Sequence, residues 1–232
     1  MSRSGEQIPG AKVISADEAR RIIAPLLAPF QAPRDLQYTL DDELVLGDPF
    51  DTRGVLALAD GTHIDGNLDL SWEAADAAEQ PYRGVIALGA LDIAGDIRND
   101  SWDGGPFLAA LGKLHGRHIF KRGAPLLAFG PVVMSGTIYC EYNHGSFRAF
   151  GGVSAQGMII DDHDHQIVGP VNAAMAVLRS GWSNTRDPRE TLLPEFFMEE
   201  DGEVEPIDDL GAILQERIRA GEPVFRPDAP RG

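Results

Sequence analysis

One stretch of sequence returns four times between residues 87 and 159, and this recurrence constrains the fold more than any other feature of the chain. Ala87-Leu88-Gly89-Ala90-Leu91-Asp92-Ile93-Ala94-Gly95-Asp96-Ile97 shares its pattern with Ala128-Phe129-Gly130-Pro131-Val132-Val133-Met134-Ser135-Gly136-Thr137-Ile138 and with Ala149-Phe150-Gly151-Gly152-Val153-Ser154-Ala155-Gln156-Gly157-Met158-Ile159. Each has two glycines six residues apart and a β-branched residue two positions later. A fourth copy, Ala110 to Phe120, keeps Gly112 but carries His118 in place of the second glycine, and a looser opening copy surrounds Ile64-Asp65-Gly66-Asn67-Leu68. The first glycines fall at 89, 112, 130 and 151, spacings of 23, 18 and 21 residues. Short alternating runs broken by glycine at a period near twenty describe the coil of a parallel β-solenoid (β-helix), in which each coil pairs with the one before it. Equivalent residues then lie one strand spacing apart, roughly 4.8 Å. On this phase Leu88, Leu111, Phe129 and Phe150 are expected to form one interior column, and Ile97, Phe120, Ile138 and Ile159 another. Glycine is expected at the corners, where φ is positive or a Cβ would clash. An antiparallel sandwich with regular turns and a left-handed hexapeptide helix are the competing arrangements, but neither accounts for the phase held across whole copies.

The fold class expected is therefore mainly β: a parallel β-solenoid with short helical caps at both ends. Residues 1–53 form an N-terminal helix and capping segment, 54–168 the solenoid repeats, and 169–232 a C-terminal cap with an acidic loop and an amphipathic helix. Ser15-Ala16-Asp17-Glu18 is a capping box that starts the first helix, and Pro25 and Pro29 predict its end near Ala24. A strand is expected at Glu43 to Leu46. Glu199 to Glu205 reads as an acidic loop, and Pro206 to Ala220 as a helix with Ile207, Leu210, Leu214 and Ile218 on one side and Gly221 as its stop.

Charge narrows the functions open to such a scaffold. Twenty Lys and Arg against 36 Asp and Glu leave a net charge of −16, so nucleic-acid phosphates and anionic membrane surfaces meet a repulsive field. The single cysteine, Cys140, cannot close an intramolecular bridge, and the opening residues lack a secretory pattern, so a soluble cytoplasmic protein is expected. No phosphate-binding loop, nucleophile elbow or dinucleotide fingerprint occurs. His118, Lys121 and Arg122 read as one short basic patch. Trp72, Trp102 and Trp182 each adjoin a serine and are expected to be partly exposed.

All six histidines lie within the repeats, and Asp161-Asp162-His163-Asp164-His165 concentrates the chemistry-bearing types. With Gly157 it spells Gly-x5-His-x-His, which resembles the first half of the metal motif of cupins and implies a bound divalent metal. The following Gln166-Ile167-Val168-Gly169 supplies no glutamate, and the family's second motif is missing. The solenoid phase offers a second route to a metal site, placing His144 over His165 and Glu141 over Asp162 as an expected ligand set. No cofactor is otherwise expected.

In its Gly-x-Ile rhythm and apolar columns the repeat region resembles the bactofilin-like, polymer-forming class of bacterial β-solenoids. The resemblance implies a non-catalytic scaffold or assembly role, with a homo-oligomer as one outcome. Helical flanks would block end-to-end growth, so a capped solenoid that binds another protein is the leading expectation. A bacterial immunity protein neutralising a basic toxin domain is its most concrete form, with Asp161, Asp162, His163, Asp164 and His165 and the acidic Glu199, Glu200, Asp201 and Glu203 as candidate partner contacts. A metal-dependent enzyme or sugar-binding protein built on the His/Asp cluster is the alternative.

Overall fold

The computed structural model describes residues 8, 10–102, 104–142, 144–178, 187–200 and 203–231. The repeats wind into a parallel β-solenoid of about five turns. Three strands per coil give the stack three faces. The first face stacks Gly54–Leu58, Tyr82–Ala87, Phe107–Ala110, Leu126–Ala128, Ser146–Ala149 and Asp164–Ile167, all parallel. Thr62–Ile64, Leu91–Ile93, Leu114–Gly116, Val132–Met134 and the start of Val153–Asp161 make the second face. The third comprises Leu68–Asp69, Ile97–Asn99, Ile119–Lys121, Thr137–Glu141 and the end of Val153–Asp161, and Val171–Leu178 carries the parallel stack on past that long strand.

Alternation along each strand sends every second side chain inward. Val85, Leu108, Leu126 and Phe147 on the first face meet Leu91, Leu114, Val132 and Val153 on the second and Ile97, Ile119, Ile138 and Met158 on the third, in one buried core. Both columns expected from the repeat phase need correction. The last inward residue of the four middle first-face strands is alanine (Ala87, Ala110, Ala128, Ala149), so Leu88, Leu111, Phe129 and Phe150 follow it on the outside of the corner. Leu88 is 45% exposed, and Phe30 stacks on Phe150 with ring centroids 4.3 Å apart. In the other column, Phe120 pairs in register with Arg98 and Tyr139 on the outward side, while Ile119 sits between Ile97 and Ile138. The corner between the second and third faces is one residue shorter in the coils starting at Gly112 and Gly151, which moves Phe120 and Ile159 one place off the common phase.

The corner glycines are required by close approach. A Cβ on Gly112 would lie 2.5 Å from the carbonyl carbon of Gly89, and one on Gly130 would lie 2.4 Å from that of Gly112. Their φ angles are ordinary, so contact between successive backbones, and not a left-handed conformation, excludes a side chain here. Inside the stack Asn99 replaces missing backbone partners: its Nδ2 donates to the carbonyls of Leu70 and Gly104, and its Oδ1 accepts from the Ala124 amide.

The flanks dock along two faces. The first helix, Ala16–Leu27, is capped by Ser15 as expected but runs on through Pro25, forgoing the amide hydrogen bond that a proline cannot donate while its apolar side stays packed on the solenoid. Its Ala19, Ile23 and Leu27 cover Val55, Ile86, Ala109 and Leu127 of the first face. The strand expected at Glu43 to Leu46 is instead the end of a π-helical turn, Thr39–Glu43, whose Glu43 receives hydrogen bonds from Arg148 and Ser146. Lys12–Ile14 pairs antiparallel with Gly54–Leu58 and closes that edge. The C-terminal helix is Leu210–Ala220, shorter than expected because residues 203–206 belong to a strand. Its Leu210, Leu214 and Ile218 cover Phe120, Tyr139 and Ile159 of the third face. No helix among the described residues packs on the second face. Among the described residues no helix is long and apolar enough to cross a membrane.

Two substitutions separate inside from outside. Ile119→Ala is expected to cost about 3 kcal/mol of unfolding free energy and Leu88→Ala less than about 1 kcal/mol, read from urea denaturation. Gly130→Ala, forcing two backbones apart, should cost about 2 kcal/mol or more in the same measurement.

Candidate functional site

The Asp161 to His165 segment forms a corner and an edge of the stack. Asp161 is buried at the end of its strand, in register with Glu141 and Leu178, and Asp162 turns the chain with a φ of 47°. His163 then folds inward. Its Nε2 accepts a hydrogen bond from the Lys121 ammonium at 2.6 Å, and its Nδ1–H donates to the Tyr142 carbonyl at 2.5 Å. Those partners fix the tautomer. Burial pushes the His163 pKa down to about 3 and that of Lys121 down to about 8, while the Cys140 thiol, one rung away, is pushed up to about 12. Lys121 also donates to the Arg122 carbonyl. The crevice beside it, lined by Phe120, Tyr139 and Gln215, has no room for a water molecule. The hydrogen bonds of Lys121 and His163 thus tie three neighbouring segments together at this corner.

This overturns several expectations. Lys121 points into the core and Arg122 pairs with Glu141, so the basic patch of His118, Lys121 and Arg122 does not form. Of the candidate partner contacts in this segment, Asp161 and His163 are buried, Asp162 and Asp164 are exposed, with Asp164 bonded to Arg148, and the ring Nδ1 of the half-buried His165 bonds the His163 carbonyl. The proposed ligand set of His144, His165, Asp162 and Glu141 does not converge. Five residues lie between Glu141 and Phe147 but only three between Asp161 and His165, so the corner shortens and His165 falls opposite Phe147. Glu141 is already bonded to Arg122 and Gln215, and the His144 ring lies against Tyr142. Among the described residues no three His, Cys, Asp or Glu side chains gather as metal ligands would.

The acidic stretch near residue 200 is a ribbon and not a loop. Phe197–Glu200 pairs antiparallel with Glu203–Pro206, and this hairpin joins no other strand among the described residues. Its base is anchored on the third face by Phe196, Phe197 and Ile207. Beyond that base Met198 and Val204 are 45% and 41% exposed, and Glu199 and Glu205 are exposed beside them. Glu200 and Glu203 are the last backbone partners of the ribbon, and Asp201 lies outside the described residues. Trp102, 45% exposed, lies under the Arg122 guanidinium, Trp72 lies under that of Arg53, and Trp182 is outside the described residues.

Two features escaped the sequence reading. On the uncovered second face His63, Asp92, His115, Val133, Ser154 and Asn172 form one outward column. Asp92 bridges the Nδ1 atoms of His63 (2.7 Å) and His115 (2.5 Å). The third residue after each first glycine marks this column, so the repeat alignment already contained it. The second feature is a cleft of about 620 Å³ between the solenoid and residues 221–231, lined by Arg117, His118, Arg226 and Arg231. No sequence signal marked it, because its walls come from segments a hundred residues apart.

Comparison with protein-family models, curated proteins and solved structures finds no match to this chain.

The His63–Asp92–His115 column gives a signed pH dependence. The hydrogen bond to Asp92 raises the His63 pKa, with Asp65 adding to it, so its stabilisation is complete below the ordinary histidine value and fades as pH rises through the raised one. His115 and His63 lower the Asp92 pKa, so that contribution is present above the ordinary carboxylate value and fades as pH falls. Asp92→Asn is therefore expected to lose more stability near about pH 5 than near about pH 9, in paired urea titrations. In the core, His163→Leu strands a buried ammonium and should cost about 3 kcal/mol. Adding Lys121→Met should restore most of that loss, giving a coupling of more than about 1 kcal/mol in a double-mutant cycle.

Proposed function

We propose that this chain is a non-catalytic interaction protein that binds a basic protein surface through its C-terminal hairpin. The observation that carries the reading is the ribbon at Phe197–Glu200 and Glu203–Pro206, held at its base and, among the described residues, joined by no other strand along its sides, with exposed Met198 and Val204 set among carboxylates. Met198, paired with Glu205, and Val204, paired with Glu199, stand on opposite sides of the ribbon. A partner groove that grips it from both sides takes both apolar side chains out of water, and the carboxylates beside them speed encounter with a positive partner and reject negative ones. The net charge of −16 acts in the same direction. The most perturbed titratable groups are sealed in the core, which supports binding over catalysis. Neutralisation of a basic toxin domain, as an immunity protein does, is the most concrete version of this role, because an acidic ribbon can dock over a cationic cleft.

The test is affinity capture of native lysate on the immobilised full-length chain at about 50 mM salt, followed by elution at about 500 mM. A basic protein should be retained, released by the salt step, and lost when Glu199→Lys and Glu205→Lys are combined or when Met198→Ala is paired with Val204→Ala. A partner held equally by all three proteins, or insensitive to salt, overturns the hairpin reading. For the toxin version, co-expression should restore growth to cells producing the captured protein, and failure to do so removes that version alone.

A further inference from the structure

The cleft beside the second and third faces has a composition at odds with the rest of the molecule. Three guanidiniums, of Arg117, Arg226 and Arg231, line it against one carboxylate, Glu222, which Arg217 already engages at 3.2 Å. Asp96 does not neutralise the wall, because that one buried carboxylate serves two cations. Arg98 and Arg117 both bond to it, leaving a surplus positive charge. Arg117 spends Nε and Nη2 on Asp96, and its Nη1 makes no hydrogen bond among the described residues. Arg231 bonds Asn172 through Nη1 and has no carboxylate partner among the described residues, and Arg226 is held by the Arg189 carbonyl and, at 3.5 Å, by Asp228.

Between these cations the lining is shaped by two glycines. His118 lies flat over Gly136, where a Cβ would come within 2.2 Å of its ring. Its Nδ1 accepts the Thr137 amide at 2.9 Å, so the neutral ring carries its proton on Nε2, a further donor with no partner among the described residues. Burial lowers the His118 pKa and keeps that tautomer uncharged. Phe225 lies over Gly157, where a Cβ would come within 2.0 Å of its ring, and with Val224, Ile218 and Ala174 it gives the cleft an apolar side. Arginine forks, a neutral imidazole donor and an apolar wall in about 620 Å³ match the size and lining of a small-molecule site.

We propose that this cleft binds a small organic anion: a compact apolar body, seated against Phe225 and Val224, that carries a phosphate or carboxylate held by Arg117, Arg226 and Arg231. The site lies apart from the hairpin residues Met198 and Val204, and the inference does not depend on what the hairpin binds. Its chemistry also runs against the charge of the whole chain, which repels anions that have no built site to enter.

Isothermal titration of the full-length protein at low salt tests this with three probes of similar size: phenyl phosphate, benzoate and benzyl alcohol. At least one of the two anions is expected to bind one to one with a Kd below about 1 mM, the neutral alcohol at least tenfold more weakly. Which anion binds more tightly assigns the headgroup. Arg231→Ala and Arg226→Ala should each raise that Kd about tenfold, and Arg231→Lys, which keeps the charge, should raise it less. Both arginines are at the surface, and thermal unfolding of each variant confirms an intact fold. Anions that bind no better than benzyl alcohol, or a double Arg226→Ala and Arg231→Ala variant that binds as the parent does, overturn the proposal.

Discussion

Everything in this molecule depends on backbones that touch at the corners. Gly112, Gly130 and Gly151 each stack on the corner glycine of the coil before with no room for a Cβ between the backbones, and the alanines ending the four middle first-face strands keep the core narrow beside them. This spacing lets the parallel strands pair, and pairing commits half of every strand to a dry interior. A polar group in that interior must bring its own partner. Asn99 meets the requirement with backbone groups, and Lys121 meets it with a histidine held neutral by the same dryness that lowers its own affinity for a proton. The largest shifts from ordinary titration thus arise from the architecture.

How far the sequence could be read follows from the same geometry. The glycine rhythm was legible because the corner admits nothing else, and it was enough to predict a parallel solenoid. The phase between glycines was not. Corners that vary by one or two residues cost little as long as the strands on either side pair, so Phe120 and Ile159 slipped outward and His165 came to rest opposite Phe147. Leu88 and Phe129 were misplaced for a related reason: side chains as small as Ala87 and Ala128 complete the inner column, and the apolar residue that follows turns outward, where Phe129 stacks on Phe150 beside Phe30 and Leu88 stays half exposed. The cluster of histidines and aspartates looked like chemistry because those residue types also suit the last strand of a stack. Asp164, at an otherwise open edge, pairs with Arg148 and presents charge to any strand that would add to it.

The flanks divide the surface. Two faces are covered by the chain's own helices, which consume the apolar outer columns of the first and third faces, and the second face stays polar enough to need no cover. The repeats therefore supply a rigid frame, and what distinguishes this chain is added at its margins: a ribbon rooted by Phe196 and Ile207, and a cleft roofed by residues 221–231. Neither is visible in local periodicity, since each needs the frame to bring distant segments together.

The order of construction matters for the second of these. Phe225 seats on Gly157 and Arg231 bridges to Ala174, so the roof of the cleft can settle only on coils that are already stacked. The recess is therefore a property of the finished ladder and not of the segment that covers it: any change that unstacks the coils beneath takes the cleft away while leaving residues 221–231 untouched.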